Sequence, residues 1–175
     1  MRWYHIDRFV EFISGERAVS IKTVSLSEDH LHEYSPGYPI LPSTLIVEGL
    51  AQTGGLLVGE AVDFQQCVIL AKISRAVFHD IVRPGALLRY TSVLENCTDD
   101  GAIVKGTSHS GDQLQAEIDI VFAFIPQRLA AEQFYPADFL ATMRKFGMYE
   151  VLQTPDGEPK LPPAHMLEAE QNAFN

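Results

Sequence analysis

Hydrophobic and polar residues alternate in some segments of this chain, whereas another segment is a long, mainly apolar run. Apolar residues alternate with polar ones from Ala18 to Leu26, and more loosely from Tyr4 to Phe12. This pattern predicts two strands, separated by a turn at Ser14 and Gly15. From Thr44 to about Ala61 almost every position is apolar. Such a segment predicts a helix that must be enclosed on nearly every side.

After this helix the pattern predicts four further strands. Turn-forming residues, Asp99-Asp100-Gly101 and Ser110-Gly111-Asp112, separate the last three and predict hairpins. Two strands, one enclosed helix and a meander of strands predict an α+β fold in which an antiparallel sheet wraps around the helix. The four segments are Cys67–Phe78, Leu87–Glu95, Ala102–His109 and Leu114–Ile125.

The character of the chain changes at Pro126. We predict one domain over residues 1–125 and a C-terminal extension over residues 126–175. A helix is expected from about Pro136 to Phe146, because a proline opens the segment and basic residues close it. Beyond Thr154 several prolines and a glycine predict an irregular, Pro-rich tail without chemistry of its own.

The loop from Ser27 to Pro42 and the start of the apolar helix contain the strongest functional signals. Loops of this length in compact domains are often functional. A helix start capped by Ser43 or Thr44 is expected after the prolines. Four residues further on, Glu48 brings a carboxylate into apolar surroundings, which costs free energy unless the group is paired or protonated.

Residues 35–52 resemble the active-site loop and central helix of the β-hydroxyacyl-acyl-carrier-protein dehydratases, the FabZ/FabA-like proteins. The family pattern reads His-Phe-Pro-Gly-x-Pro-x-x-Pro-Gly-x-Leu-x-x-Glu-x-x-Ala-Gln. Weaker echoes are Ile6-Asp7-Arg8-Phe9-Val10 and Val82-Arg83-Pro84-Gly85. The residues that match in register are Pro36, Gly37, Pro39, Pro42, Leu45, Glu48, Ala51 and Gln52.

This resemblance implies the hot-dog fold, in which protomers usually pair and the active sites lie at their interface. It also implies a (3R)-hydroxyacyl-thioester dehydratase of fatty-acid metabolism. Such an enzyme eliminates water from β-hydroxyacyl thioesters of an acyl-carrier protein or coenzyme A. A homodimer, or a higher assembly of dimers, is the default expectation, because one sheet around one helix leaves a strand edge that pairing would protect.

Three departures from the family pattern concern the chemistry. Tyr34 stands where the family has its catalytic histidine, Ser43 replaces a glycine, and Ala86 replaces the aspartate after the later Pro-Gly. A tyrosine is a poor base, since its unperturbed pKa is ~10, although it can donate a hydrogen bond. His32 would share a face with Tyr34 in an extended loop and is a candidate displaced base, with a surface histidine as the plainer interpretation.

The resemblance makes Glu48 the candidate catalytic acid, fourteen residues after Tyr34 as in the family. We expect this carboxyl to be buried, with its pKa raised by desolvation. Gln52, one turn later, is expected to hold it by a hydrogen bond and is also a candidate substrate-binding residue; a polar contact at the interface is the alternative.

The candidate substrate-binding residues lie in the loop and at the helix start. Gly37 belongs to the loop, and backbone groups at Ser43 and Thr44 would face the thioester carbonyl, where the helix dipole favours negative charge. Two alternatives to the dehydratase stay open. One is a thioesterase that uses Glu48 to direct water, and the other is a non-catalytic acyl-binding or partner subunit.

Composition narrows the partners. With 175 residues and 46% hydrophobic content a folded core is expected, and a formal charge of −10 argues against nucleic acid and anionic membranes. Cys67 and Cys97 have no metal-ligand spacing, no cofactor is indicated, and the N-terminus resembles no signal peptide, so a cytoplasmic protein is expected. An acyl-carrier protein is itself acidic and would need a local basic patch, for which the candidates are Lys72, Arg75, Arg83 and Arg89. The alternative is that these basic residues are scattered over the surface.

Overall fold

A seven-stranded sheet and one long helix dominate the structure. The computed structural model describes residues 4–33, 37–125 and 135–173, without the side chains of residues 32 and 33. The strands are β1 Arg8–Ile13, β2 Arg17–Thr23, β3 Cys67–Phe78, β4 Leu87–Cys97, β5 Gly101–Ser110, β6 Gln113–Ile125 and β7 Leu152–Gln153. The helices are α1 Asp29–Glu33, α2 Ser43–Ala61, α3 Pro136–Lys145, α4 Met148–Val151 and α5 Ala164–Ala173.

The strands lie in the order β3-β6-β5-β4-β2-β1-β7. Every neighbouring pair is antiparallel except β1 with β7, which is parallel. Helix α2 lies against β2, β3, β4, β5 and β6, so the sheet wraps around it. The predicted α+β arrangement is therefore confirmed, and both predicted hairpins connect β4 to β5 and β5 to β6.

Helix α2 lies very close to the sheet at Gly49. A Cβ atom on Gly49 would lie 2.7 Å from Cζ of Tyr90, a fully buried residue of β4. On the same side of the helix, Ile46, Leu50 and Leu57 are buried in the core. Close packing against the sheet explains this glycine, and it holds the first half of the helix at a defined distance from β4.

The start of helix α2 differs from the prediction. Pro42 is the N-cap residue, and no side chain caps the helix. Instead, the backbone N–H of Leu45 donates to the carbonyl of Pro42 at 2.9 Å. The expected cap at Ser43 or Thr44 is wrong, because both residues lie inside the helix. The preceding loop also contains the short helix α1, which the sequence did not predict.

The C-terminal extension is more ordered than expected. Helix α3 confirms the predicted helix, but the expected irregular tail contains helix α5. Met166 of α5 is fully buried, and Arg144 of α3 forms an ion pair with Glu170 of α5 at 2.8 Å. Burial of one apolar side chain and a long-range ion pair outweigh the local prolines, which end before Ala164. The boundary between domain and extension remains a prediction.

A buried ion pair joins the extension to helix α2. Glu60 is 2% exposed, and its Oε1 accepts from Lys160 Nζ at 2.6 Å and from Ser14 Oγ at 2.8 Å. Lys160 also lies 3.2 Å from Asp63. Burial alone would lower the pKa of Lys160, but its contacts with Glu60 and Asp63 outweigh that effect and raise it.

The two edges of the sheet differ in how far they are covered. At one edge, β7 of the extension pairs with β1 through Phe12 and Leu152. At the other edge lies β3, twelve residues long and exposed over most of its length. Strand edges of this kind are sites for pairing with another chain. The large exposed apolar side chains of β3 are Ile69, Leu70, Ile73 and Phe78.

Candidate functional site

Two of the three segments that resemble the dehydratases, the loop before helix α2 and the Val82–Gly85 turn, lie together in the fold. The backbone N–H of Leu41 donates to the carbonyl of Val82 at 2.8 Å. Arg83 donates to the hydroxyl of Tyr38, and its guanidinium lies 4.4 Å from the centre of the Tyr38 ring. The Val82–Gly85 turn thus holds the second half of the loop in place. Gly37 is exposed and has a φ of +79°, a conformation that favours glycine.

The loop leads directly into the N-terminus of helix α2. Ser43 and Thr44 form its first turn, and both are exposed. The unpaired amides of a helix's first turn and its dipole favour a group that is negative or becomes negative. A thioester carbonyl placed here would therefore be polarised, as expected for Ser43 and Thr44. Their role as binding residues remains a prediction.

Glu48 lies on the same helix and is connected to the segment before strand β1 by a chain of hydrogen bonds. Gln52 Nε2 donates to Glu48 Oε1 at 2.8 Å, and the backbone N–H of His5 donates to Gln52 Oε1 at 2.9 Å. Gln52 is thereby fixed in one orientation and holds the carboxyl at its other end. The contact expected between Gln52 and Glu48 is present, and its part in function remains a prediction.

The expected burial of Glu48 is not seen in the single chain. Glu48 is exposed and its neighbours on that side, Leu45, Ala51 and Gln52, are half-buried, while the opposite side packs on the sheet. The helix is apolar enough to be enclosed, but one chain leaves Glu48 in its first half exposed, whereas Leu56 and Glu60 near its end are buried. Burial between two protomers is a separate expectation, taken up below.

Two histidines near this chain of hydrogen bonds were not among the predicted site residues. His5 is 5% exposed, and its ring centre lies 6.1 Å from that of His30. Burial lowers the pKa of His5, although the negative charge of Glu48 opposes this shift. His30 lies 3.2 Å from Glu28, which also accepts from the largely buried Lys22 at 3.0 Å. No local motif marks His5, because its neighbours come from elements distant in sequence.

The candidate bases Tyr34 and His32 cannot be placed relative to Glu48. Tyr34 lies outside the described residues. The backbone of His32 belongs to helix α1, so the extended segment expected there is replaced by a helix, but its side chain lies outside the described part. Their roles therefore rest on the sequence alone.

An apolar cleft begins one helical turn beyond Glu48. Its volume is about 310 Å³, and Gln52 lies at the end nearer Glu48. Its lining comes from the N-terminal segment, helix α2, the connection from α2 into β3, and helix α3 with the residue that follows it: Tyr4, Ala51, Gln52, Gly55, Leu56, Gly59, Phe64, Gln66, Cys67, Val68, Phe139, Thr142 and Phe146. The volume lies at the lower end of the range for small-molecule sites, ~300–1,000 Å³.

The candidate basic patch is only partly free for a partner. Arg75 is paired with Glu117 at 3.1 Å, and Arg83 is occupied with Tyr38. His79 also binds Glu117, at 3.0 Å. These contacts favour basic residues spread over the surface. Within residues 4–33, 37–125 and 135–173, no cluster of three or more potential metal ligands is found, and no helix is long and apolar enough to cross a membrane.

Comparison with known proteins agrees with the geometry of the loop and helix. Residues 3–116 match the FabA-like domain. The chain belongs to the FabA-like family. The match covers the loop, helix α2 and most of the sheet, and it ends before the C-terminal extension.

Curated relatives carry the name of a dehydratase. A 3-hydroxyacyl-[acyl-carrier-protein] dehydratase FabZ from Chloroflexus aggregans is 39% identical over 121 residues, which cover 67% of this chain and 83% of the relative. The FabZ from Pelotomaculum thermopropionicum is 34% identical over 119 residues, 67% of this chain and 85% of the relative. These identities place the chain among dehydratase-like members of the family.

A solved structure confirms the hot-dog-type fold. The dehydratase heterocomplex ApeI:P from Xenorhabdus doucetiae contains a chain that superposes with a TM-score of 0.60 at 13% identity. The superposition covers 73% of this chain and 86% of that one. The two chains thus share a fold although few of their residues are identical.

Proposed function

We propose that this protein acts on β-hydroxyacyl thioesters and eliminates water to give the α,β-unsaturated thioester. The observation that carries the proposal is Glu48, held by Gln52 at an exposed position beside the N-terminus of helix α2. Dehydratase-like relatives over two thirds of the chain support the same reaction.

The proposed chemistry divides the elimination between three parts of the site. The carboxyl of Glu48 serves proton transfer to the β-hydroxyl, which leaves as water. Amides at Ser43 and Thr44 stabilise the negative charge that develops on the thioester carbonyl. A base removes the α-proton, and the candidates from the sequence are Tyr34, at the family histidine position, and His32. Gln52 keeps the carboxyl oriented while the substrate enters.

A second candidate is a non-catalytic acyl-binding or partner subunit. The tyrosine at the position of the family's catalytic histidine favours it, because loss of a positioned acid-base group typically costs on the order of 10²–10⁴ in rate. In that case the carboxyl and the cleft would still bind an acyl thioester, but elimination would need a base from elsewhere.

These functions are separated by measuring turnover of a β-hydroxyacyl thioester in three proteins: the parent, Tyr34→His and His32→Ala. Loss of enoyl product in His32→Ala would identify His32 as the base of a working enzyme. A gain of enoyl product in Tyr34→His, with the turnover of His32→Ala equal to that of the parent, would identify a partner subunit or weakened enzyme that lacks its base. Release of free thiol from the unhydroxylated thioester would instead indicate a thioesterase. If none of the three proteins turns over substrate, the dehydratase proposal fails.

We also propose that two chains pair through the exposed edge of β3. Among the described strands β3 pairs only with β6, and its Ile69, Leu70 and Ile73 are exposed, whereas the opposite edge of the sheet is covered by β7. A second protomer at this edge would also cover part of the helix side that carries Glu48.

Light scattering after size-exclusion chromatography tests the pairing. Ile73→Lys on the edge strand should give monomers, whereas Ile103→Lys on β5, an inner strand, should remain paired. Both isoleucines are 42% exposed, so the two variants differ in position and not in exposure. Equal mass in the two variants would rule out pairing through β3.

The substrate carrier and the compartment follow from the same proposal. An acyl-carrier protein is the expected donor of the thioester, with coenzyme A as the alternative, and acyl-carrier protein appears in the names of the relatives. Cys67 and Cys97 are both free thiols, which suits a reducing cytoplasm.

A further inference from the structure

The apolar cleft beside Gln52 has a wall that the family domain does not supply. One side consists of helix α2 and the start of β3, within residues 3–116 that match the family. The other side comes from the C-terminal extension: Phe139 and Thr142 of helix α3, and Phe146, which directly follows that helix. The extension thus changes the shape of a cleft that begins at the candidate site.

Helix α3 is held in this position by contacts at both ends. The ring of Phe139 meets Phe64 edge to face at 5.6 Å, and the ring of Phe146 meets Tyr4 in the same way at 5.0 Å. Edge-to-face arrangements are a favoured geometry for aromatic pairs. The wall is therefore a fixed part of the fold.

The chemistry of the lining favours an aliphatic chain. Side chains such as Phe64, Leu56 and Val68 surround the cleft, with Gln52 at one end. A peptide segment would bring backbone N–H and C=O groups that need partners, and an apolar wall supplies few. An alkyl chain has no such groups and gains free energy with each methylene removed from water.

We propose that this cleft binds the aliphatic tail of the acyl thioester handled at Glu48, and that helix α3 sets how long a tail fits. The inference rests on the proposed function, because the reactive end of the same molecule would lie at Glu48. Its new element is the assignment of Phe139, Thr142 and Phe146 as residues that determine specificity for chain length.

Cys67, in the lining of the cleft, provides a readout that does not depend on turnover. Burial raises the pKa of this thiol, so alkylation is measured at mildly alkaline pH in a Cys97→Ser background. The probes are 3-hydroxybutyryl and 3-hydroxydodecanoyl pantetheine amides, in which nitrogen replaces the thioester sulfur. The long probe should protect Cys67 at much lower concentration, since each buried methylene adds about 0.8 kcal/mol, or about fourfold in affinity.

Thr142→Phe and Ala141→Phe form a matched pair on helix α3. Thr142 lines the cleft, whereas Ala141 is exposed on the same helix. The added ring at Thr142 should weaken protection by the long probe about tenfold or more, the typical discrimination for one misplaced methylene group. Ala141→Phe should leave it unchanged. If Thr142→Phe fails to fold, Phe139→Ala replaces it, since Phe139 is half-buried. This variant should lose part of the wall and with it the preference for the long probe.

The outcomes separate this inference from the dehydratase proposal. Chain-length-dependent protection that is weakened in Thr142→Phe supports the inference, even if no enoyl product forms and the dehydratase proposal fails. Turnover with no protection of Cys67, and with the same chain-length preference in Thr142→Phe and Ala141→Phe, overturns the inference and leaves the dehydratase proposal standing. If neither turnover nor protection of Cys67 is observed, the inference is also overturned.

Discussion

Two glutamates on helix α2, twelve residues apart, lie in opposite environments. Glu60 is 2% exposed and is bound to Lys160 at 2.6 Å and to Ser14 at 2.8 Å. Glu48 is exposed and is held by the neutral side chain of Gln52 at 2.8 Å. One carboxylate is compensated by a cation, while the other keeps an open side.

The difference shows that burial by itself does not identify the functional acid. A buried carboxylate with a cation and a hydroxyl as partners has one oxygen occupied, and its role is to join the extension to the domain. A carboxylate oriented by an amide, with its other side exposed, is free to meet a substrate. Variants at the two ends of helix α2 should therefore separate activity from stability.

The largest expected effect is on turnover in Glu48→Gln. The amide keeps the shape of the side chain but cannot exchange a proton, so the rate should fall by on the order of 10²–10⁴. Thermal stability should stay at the parent level, because the side chain is exposed. The check is enoyl formation together with a melting curve. Parent-level turnover in this variant would remove Glu48 from the chemistry.

At the other end of the helix, Lys160→Met should reduce stability and spare the chemistry. Removing one partner of a buried ion pair typically costs about 3–5 kcal/mol, and we expect the lower limit because the Lys160 side chain is 32% exposed. Chemical unfolding measures the loss. The matched control is Arg17→Met, which breaks the exposed pair with Glu11 and should cost about 1 kcal/mol or less. Similar losses in both variants would show that Glu60 is not a structural anchor.

Between the two glutamates, Gly49→Ala should cost about 1–3 kcal/mol in the free energy of unfolding. The added Cβ would lie 2.7 Å from Tyr90 Cζ, so helix α2 or the ring would have to move. Gly55→Ala is the control, since its Cβ would make an ordinary 3.4 Å contact with Phe122. Chemical unfolding of the two variants gives the comparison, and an unaffected Gly49→Ala would show that the helix is not tightly held beside Glu48.

The smallest expected effect is a pH dependence of stability near the Glu48 end. Burial lowers the pKa of His5 in the folded state, with Glu48 and Glu28 opposing the shift and His30 and Lys22 adding to it. The unfolded chain then binds more protons, so stability is full above about pH 6.5 and falls as pH decreases toward the folded-state pKa.

His5→Gln should remove this part of the pH dependence, as measured by melting temperature against pH. The net pKa of Glu28 is also lowered: burial would raise it, but hydrogen bonds from Ser25 and Lys22 outweigh burial. Its contribution is lost only below about pH 4.5, so the two groups act in separate ranges. An unchanged slope near neutrality in His5→Gln would contradict the assignment.

Local patterns in the sequence determined helix α2, the two hairpins and the contact of Glu48 with Gln52. These features depend on neighbours close in the chain: the apolar run from Thr44, the glycine turns, and the spacing of four residues that places two side chains on one face. The same patterns missed helix α5, because it is stabilised by burial of Met166 and by packing against helix α3, which is distant in sequence.

Only the tertiary structure decided which glutamate is paired, which histidine lies near the site and what walls the cleft. Lys160 reaches Glu60 across 100 residues of sequence, and the backbone of His5 reaches Gln52 across 47. Helix α3 faces helix α2 across the cleft only because the extension folds back over the domain. Residues this far apart leave no shared period or motif in one sequence, since their proximity depends on the sum of many packing contacts.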